Sequence, residues 1–278
     1  MKMISRRSFM AVAGAATAAV ALTACGGSAS SAASSVASSA ASSEAVSSAA
    51  AADLTTVEAG KLTMATNAAF PPYEMTTDAG EFEGIDVDTA KAIAEKLGLE
   101  LQIDDMDFDA ALLSVQQGKA DIVMAGVTVT DERKAVMDFS DSYATGIQSI
   151  IVPNDSDIAS PDDLAGKTIG TQRGTTGYIY CSDDFGDENV VAYDDGLTAV
   201  QALNNGQVDA VVIDNAPAQE FVAANPGLKV LDTSYAEEDY AIGMAKGSAL
   251  EDAVNKALEE LKADGTLQAI VDKYINAN

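Results

Sequence analysis

Arg133 follows Gly126 and Thr128 within one short stretch, a set suited to holding a carboxylate. The glycine lets a backbone N–H come close, a hydroxyl can donate, and a guanidinium pairs with two oxygens at once. On spacing alone Arg133 could equally form a surface ion pair with Asp131 or Glu132. The run Arg173-Gly174-Thr175-Thr176-Gly177 offers backbone donors at the start of an expected helix, where an anion can sit. It lacks the lysine of a phosphate-binding P-loop, and the same composition also makes an ordinary turn. Asp214 stands at the end of an expected strand and suits an ammonium group, or else caps the helix after it. Phe70 and Phe108 could flank a ligand side chain or belong to the core.

Other chemistries are closed off. The chain has no histidine, which removes the usual general base near neutral pH and the commonest transition-metal ligand. Of its two cysteines, Cys25 lies in the N-terminal segment, and Cys181 has no histidine to activate it, so Cys181 reads as inert. Asp105, Asp107 and Asp109 begin like a calcium loop, but Ala110 replaces the needed glycine and Gln116 the closing glutamate. No metal and no cofactor is expected.

These residues need elements to position them, and the pattern is alternating β and α. Strands are expected at Leu62–Thr66, Ile122–Ala125, Lys167–Thr171 and Val208–Ile213. Val87, Ala90, Ile93, Ala94 and Leu97 keep helical spacing, with Asp86 as the expected N-cap and Gly98 as the stop. Ser160-Pro161-Asp162-Asp163 carries a capping serine, a first-turn proline and acids near a helix's positive end. Helices are also expected at Ser248–Lys262 and Leu267–Tyr274.

An internal repeat organises the whole. Gln116-Gln117-Gly118-Lys119-Ala120-Asp121-Ile122-Val123 is echoed by Asn204-Asn205-Gly206-Gln207-Val208-Asp209-Ala210-Val211. Each copy reads as a helix end, a glycine stop, and an aspartate leading a buried strand. Two similar α/β lobes follow. Ligands of open α/β sheets sit beyond the strands' carboxyl ends. Ala125-Gly126-Val127-Thr128 follows the first repeated strand and Asp214-Asn215 ends the second, which describes a cleft.

The N-terminus bounds the compartment. Lys2, Arg6 and Arg7, then the apolar stretch Phe9–Leu22, then Leu22-Thr23-Ala24-Cys25 read as a signal peptide ending in a lipobox, with Cys25 lipidated. Ser5-Arg6-Arg7-Ser8-Phe9-Met10 also fits a twin-arginine export signal, or an ordinary basic start. From Gly26 to about Ala52 the chain is nearly all Ser and Ala, with Glu44 the single charge, which reads as a flexible tether. No other segment reaches the ~20 apolar residues of a membrane helix, so lipid alone would anchor it. Removing residues 1–24 deletes three basic residues and no acid, taking the net charge from −27 to −30. That repels phosphate backbones and argues against nucleic-acid binding.

Between about Lys61 and Tyr274 the chain resembles the polar amino-acid family of ABC-transporter solute-binding proteins (family 3). The likeness is carried by Asn67-Ala68-Ala69-Phe70-Pro71-Pro72-Tyr73, Gly84-Ile85-Asp86-Val87-Asp88, Met106-Asp107-Phe108 and Ala125 through Arg133. Asp138-Phe139-Ser140, Gly174-Thr175-Thr176 and Lys246-Gly247-Ser248 complete it. The resemblance implies a type II periplasmic-binding fold: two α/β lobes, 61–147 plus 245–278 and 148–244, after a signal peptide (1–24) and a tether (25–60). It implies crossing strands at Gly146–Val152 and Tyr240–Met244. It further implies that a ligand's α-carboxylate meets Arg133, Thr128, the Ala125-Gly126 region and the Thr175-Thr176 turn. Asp214 would take the α-ammonium, and Phe70 and Phe108 would flank the side chain.

Two departures bear on specificity. Asn67 stands where the family often has an aspartate, and Gln172-Arg173 where a lysine or other polar group precedes the Gly-Thr pair. Together they favour a neutral polar side chain over a basic one. The expectation is a monomeric lipoprotein on the outer face of the bacterial cytoplasmic membrane. It would close on a small amino acid and deliver it to an ABC permease, without acting as an enzyme. The alternatives are a dehydratase-like enzyme on the same fold and a ligand-sensing lipoprotein.

Overall fold

The computed structural model describes residues 54–275; the signal peptide, Cys25 and most of the expected tether lie outside them. The chain starts with β1 (Lys61–Thr66) and a small antiparallel sheet, β2 (Ala69–Phe70), β3 (Glu74–Thr76) and β4 (Phe82–Glu83). Then come α1 (Ile85–Leu97), β5 (Glu100–Asp105), α2 (Phe108–Gln116), β6 (Ile122–Val123), α3 (Asp131–Val136) and β7 (Met137–Phe139). The second lobe holds β8 (Ala144–Pro153), β9 (Ile169–Gln172), α4 (Thr176–Phe185) and β10 (Val190–Tyr193). It continues through α5 (Gly196–Asn204), β11 (Ala210–Asp214), α6 (Asn215–Ala224), β12 (Leu228–Val230) and β13 (Ala236–Tyr240). The chain then returns to the first lobe with β14 (Gly243–Ala245), α7 (Glu251–Ala263) and α8 (Thr266–Tyr274). No helix among the described residues is long and apolar enough to cross a membrane.

Each lobe is built on its own sheet. The first has strand order β5-β1-β6-β14-β7, the second β10-β9-β11-β8-β12 with β13 also on β8. Parallel strands form both centres, β5-β1-β6 and β10-β9-β11, and helices cover their faces. This explains the unbroken apolar runs: Leu62, Met64 and Ala65 of β1 and Val211, Val212 and Ile213 of β11 are all buried.

The repeat in the sequence is a repeat in space. Gly118 and Gly206 both take φ of 65° and end α2 and α5. The N–H of Asp121 donates to the Thr63 carbonyl at 2.9 Å, and its carboxylate accepts the Thr63 N–H at 2.7 Å. Asp209 does the same with Thr168, at 2.7 and 2.8 Å. Each aspartate therefore ties the head of its strand to the neighbouring parallel strand.

Several expectations shift by local physics. The first helix begins at Ile85 and not after Asp86, because Gly84 takes φ of 134° and turns the chain there. A Cβ on Gly84 would lie 2.1 Å from the Tyr73 carbonyl oxygen. Asp86 is fully buried in the first turn, accepting the Gly126 N–H at 3.0 Å and the Tyr143 hydroxyl at 2.7 Å. Gly98 stops this helix in a left-handed cap, as its type predicts. Ser160 forms a capping box with Asp163, but only a short 3₁₀ turn, Pro161–Leu164, follows.

The strand expected to cross at Gly146–Val152 lies wholly in the second sheet. The passages between sheets are residues 140–143 and 241–242. They run side by side: Ser140 N–H donates to the Ile242 carbonyl and Tyr143 N–H to the Tyr240 carbonyl, both at 2.9 Å.

Candidate functional site

All eleven residues singled out from the sequence line one narrow cavity between the lobes: Asn67, Phe70, Phe108, Ala125, Gly126, Thr128, Arg133, Gln172, Thr175, Thr176 and Asp214. Apart from Phe70, which lies on β2 of the small sheet, they come from strand ends and helix starts around the two large sheets, in keeping with the strand-end rule.

Arg133 is set by the short helix α3, whose N-cap Thr130 accepts the Arg133 N–H at 3.1 Å. Its side chain is only 8% exposed. Nη1 donates to the Thr128 carbonyl at 2.8 Å, and Nη2 reaches the second lobe to donate to the Gly174 carbonyl at 3.1 Å. The guanidinium lies 5.3 Å from the centre of the Phe108 ring. Burial lowers its pKa, opposed by Glu238 first among nearby groups. Among the described residues it forms no ion pair. A buried guanidinium still has several donors in a fixed fork, and two carbonyls leave its charge unmatched.

Asp214 ends β11 on the other lobe and is buried as well. It accepts from Gln148 Nε2 at 2.8 Å and, on its other oxygen, from the Tyr240 hydroxyl. Burial pushes its carboxyl up to about 7, and the nearby Glu238 charge adds to this. An ammonium group placed beside it would favour the charged form.

At another edge of the cavity two carboxamides meet across the lobes. Gln172 Nε2 donates to Asn67 Oδ1 at 2.8 Å, and Asn67 Nδ2 donates to the Met106 carbonyl at 3.0 Å. Phe70 and Phe108 are both buried here. The N-cap Thr175 holds the start of α4, its hydroxyl accepting the Tyr178 N–H at 3.3 Å.

The Gly126 N–H, expected to approach an anion, is already bonded to Asp86. The start of α4 offers further backbone donors at a helix's positive end, where an anion can sit.

Glu238, which no spacing or motif singles out, lies directly behind the cavity wall. It is 7% exposed on β13. Its Oε2 accepts the hydroxyls of Thr128 (3.1 Å) and Thr176 (2.9 Å) and the Gln148 amide (3.0 Å). The acidic run Glu237-Glu238-Asp239 reads as a solvated stretch. The only sequence signal is period two: Glu238 shares a strand face with Tyr240, which is fully buried.

Comparisons with known proteins agree with this arrangement. The model of the bacterial extracellular solute-binding proteins, family 3, matches residues 62–277. The L-cystine-binding protein TcyJ of Escherichia coli K12 is 33% identical over 225 residues, spanning 80% of this chain and 85% of that one. The arginine-binding extracellular protein ArtP of Bacillus subtilis is 34% identical over 224 residues, 77% and 86% of the two chains. Among solved structures, the arginine-, lysine-, histidine-binding protein ArtJ of Geobacillus stearothermophilus has a TM-score of 0.75 at 35% identity. That match covers 78% of this chain and 96% of ArtJ. An ancestral arginine-binding protein bound to glutamine has a TM-score of 0.74 at 42% identity, over 78% and 98% of the chains. The relatives carry the names of binding proteins and not of enzymes. Two sheets with facing strand ends, a cavity between them lined from both sides, and a family model spanning nearly every described residue lead to one conclusion: this chain belongs to family 3 of the bacterial extracellular solute-binding proteins.

Proposed function

We propose that the chain captures a small L-amino acid between its lobes and delivers it to an ABC importer, held at the membrane by a lipid on Cys25. The observation that carries this is the pairing of Arg133 from one lobe with Asp214 from the other around one cavity. Each is a buried ionisable side chain without an ion-pair partner among the described residues. A zwitterion supplies both missing partners in a single molecule. Such a ligand favours the closed lobes because it touches both only when they meet. The proposed lobes exchange chain at the two linked passages, 140–143 and 241–242, and not at the expected 147/148 and 244/245, because β8 belongs to the second sheet and β14 to the first. The protein would act as a monomer.

For the side chain we propose a neutral polar group, since the Asn67 and Gln172 carboxamides offer neutral donors and acceptors near Phe70 and Phe108. The arginine- and histidine-binding relatives support a second reading, a basic side chain. A thermal-shift screen over the common amino acids and cystine tests both, because a ligand of the folded form raises the melting temperature. Stabilisation by glutamine, asparagine, serine or cystine supports the first reading, and by arginine, lysine or histidine the second. No shift with any of them rejects amino-acid capture. Labelling of the mature chain at Cys25 by lipid, followed by mass spectrometry, tests the anchor.

A further inference from the structure

We propose that Glu238 is a positioning residue that makes the ammonium end of the cavity an all-acceptor site, selecting amines over hydroxyl groups. The inference rests on the amino-acid reading above and assigns a role to a side chain outside the cavity lining. It starts from the limited valence of a hydroxyl, which has one O–H to donate and lone pairs to accept with.

Thr128 and Thr176 line the cavity from opposite lobes, and both have Glu238 Oε2 within donating distance, at 3.1 and 2.9 Å. They are also 3.4 Å from each other, and Gln148 Nε2 is 3.4 Å from Thr176 Oγ1. A short bond to a carboxylate is stronger than a long one between neutral hydroxyls, so both protons go to Glu238. Toward the cavity the two threonines then present only lone pairs. The Thr128 hydroxyl therefore accepts and does not donate, and the carboxylate is left to Arg133 and to backbone N–H groups.

The same oxygen of Glu238 takes the Gln148 amide, whose Nε2 also donates to Asp214. One buried carboxylate thus orients both hydroxyls and holds the partner of the third acceptor. Asp214, Thr128 Oγ1 and Thr176 Oγ1 together give three acceptors, the number that matches the three N–H groups of an ammonium. A ligand hydroxyl has one proton for these three acceptors, and its own lone pairs would face theirs. Glu238 Oε1 has no protein partner among the described residues, so the carboxylate is not shared with a competing cation.

The test measures selectivity, which a purely structural role would leave unchanged. Calorimetry on the full chain would compare L-glutamine, L-arginine and L-cystine, and then the 2-hydroxy counterpart of whichever binds. The wild type should prefer the amino acid by at least ~100-fold, as a site built around N–H donors does. Glu238→Gln should narrow that ratio at least ~10-fold, because a neutral amide no longer fixes both hydroxyl protons. Thr176→Val, which only removes a hydroxyl, should also narrow it and guards against misfolding of the first variant. If either folded variant weakens both compounds equally, the hydroxyls do not discriminate and the role of Glu238 is overturned. Failure of the wild type to bind any of the common amino acids or cystine is a different result, and rejects the amino-acid reading itself.

Discussion

Arg133 donates across the cleft to the Gly174 carbonyl at 3.1 Å while its other terminal nitrogen holds the Thr128 carbonyl of its own lobe. One side chain thus touches both halves of the molecule. The contact places this candidate carboxylate anchor at the junction of the two halves, on the cavity both of them line.

Arg133→Ala should weaken binding of the amino acid found in the screen by about 2–5 kcal/mol, since a buried carboxylate would lose its partner. Arg133→Lys should recover little, because an ammonium lacks the planar fork. Isothermal calorimetry checks both, and a change below threefold for the alanine variant contradicts the assignment.

Closure itself can be tested at Gly174, which takes φ of 73° beside Asp109. A Cβ there would lie 1.7 Å from Asp109 Oδ1 on the opposite lobe. Gly174→Ala should cost about 1–2 kcal/mol of stability from the left-handed backbone alone, and should also weaken ligand binding. Adding Asp109→Ala should restore affinity and leave the stability loss in place. Denaturant unfolding and calorimetry on the three variants separate the two effects; affinity that stays low in the double variant means the cross-lobe contact is not the cause.

The buried acids give a pH signature. Burial pushes Asp214 up to about 7 and Asp86 up to about 6, and lifts Glu74 well above the usual range. Unfolded, these carboxyls titrate near pH ~4, so between there and ~7 the folded chain holds the extra protons. Their contribution is therefore fully present below about pH 4 and lost as pH rises through about 6–7. Asp214→Asn should accordingly gain stability over the wild type at pH 8, on the order of 2–4 kcal/mol at most, and the gain should vanish by about pH 4. Melting curves across that range check it, and an asparagine variant that is less stable at pH 8 contradicts it.

The twin aspartates offer an internal control. Asp121 is buried and accepts N–H groups from both Val57 (2.8 Å) and Thr63 (2.7 Å), whereas Asp209 is exposed and accepts one from Thr168. Asp121→Ala should cost about 2–3 kcal/mol and Asp209→Ala about 1 kcal/mol or less, by the cost of leaving buried donors unpaired. Chemical denaturation measures both. Equal losses would mean that burial does not set the cost.

The sequence by itself determined the frame of this protein. Period and breaker residues located the central strands, the stop at Gly98 and the twin Gly118 and Gly206 turns, because these depend on local backbone chemistry. Strand-end logic and the family likeness named eleven cavity residues, since in this architecture such positions must converge. Tertiary structure decided what each of those groups is bonded to. The spacing predicts Asp86 as a cap, but Gly84 turns the chain first, which frees the Asp86 carboxylate for Gly126 and Tyr143. Glu238 is indistinguishable in its acidic run, because only the pairing of β13 with β8 turns it inward beside Gln148 and the two threonines. Donor direction, burial and partnership between residues far apart in the chain are properties of three-dimensional neighbours, and one-dimensional spacing does not encode them.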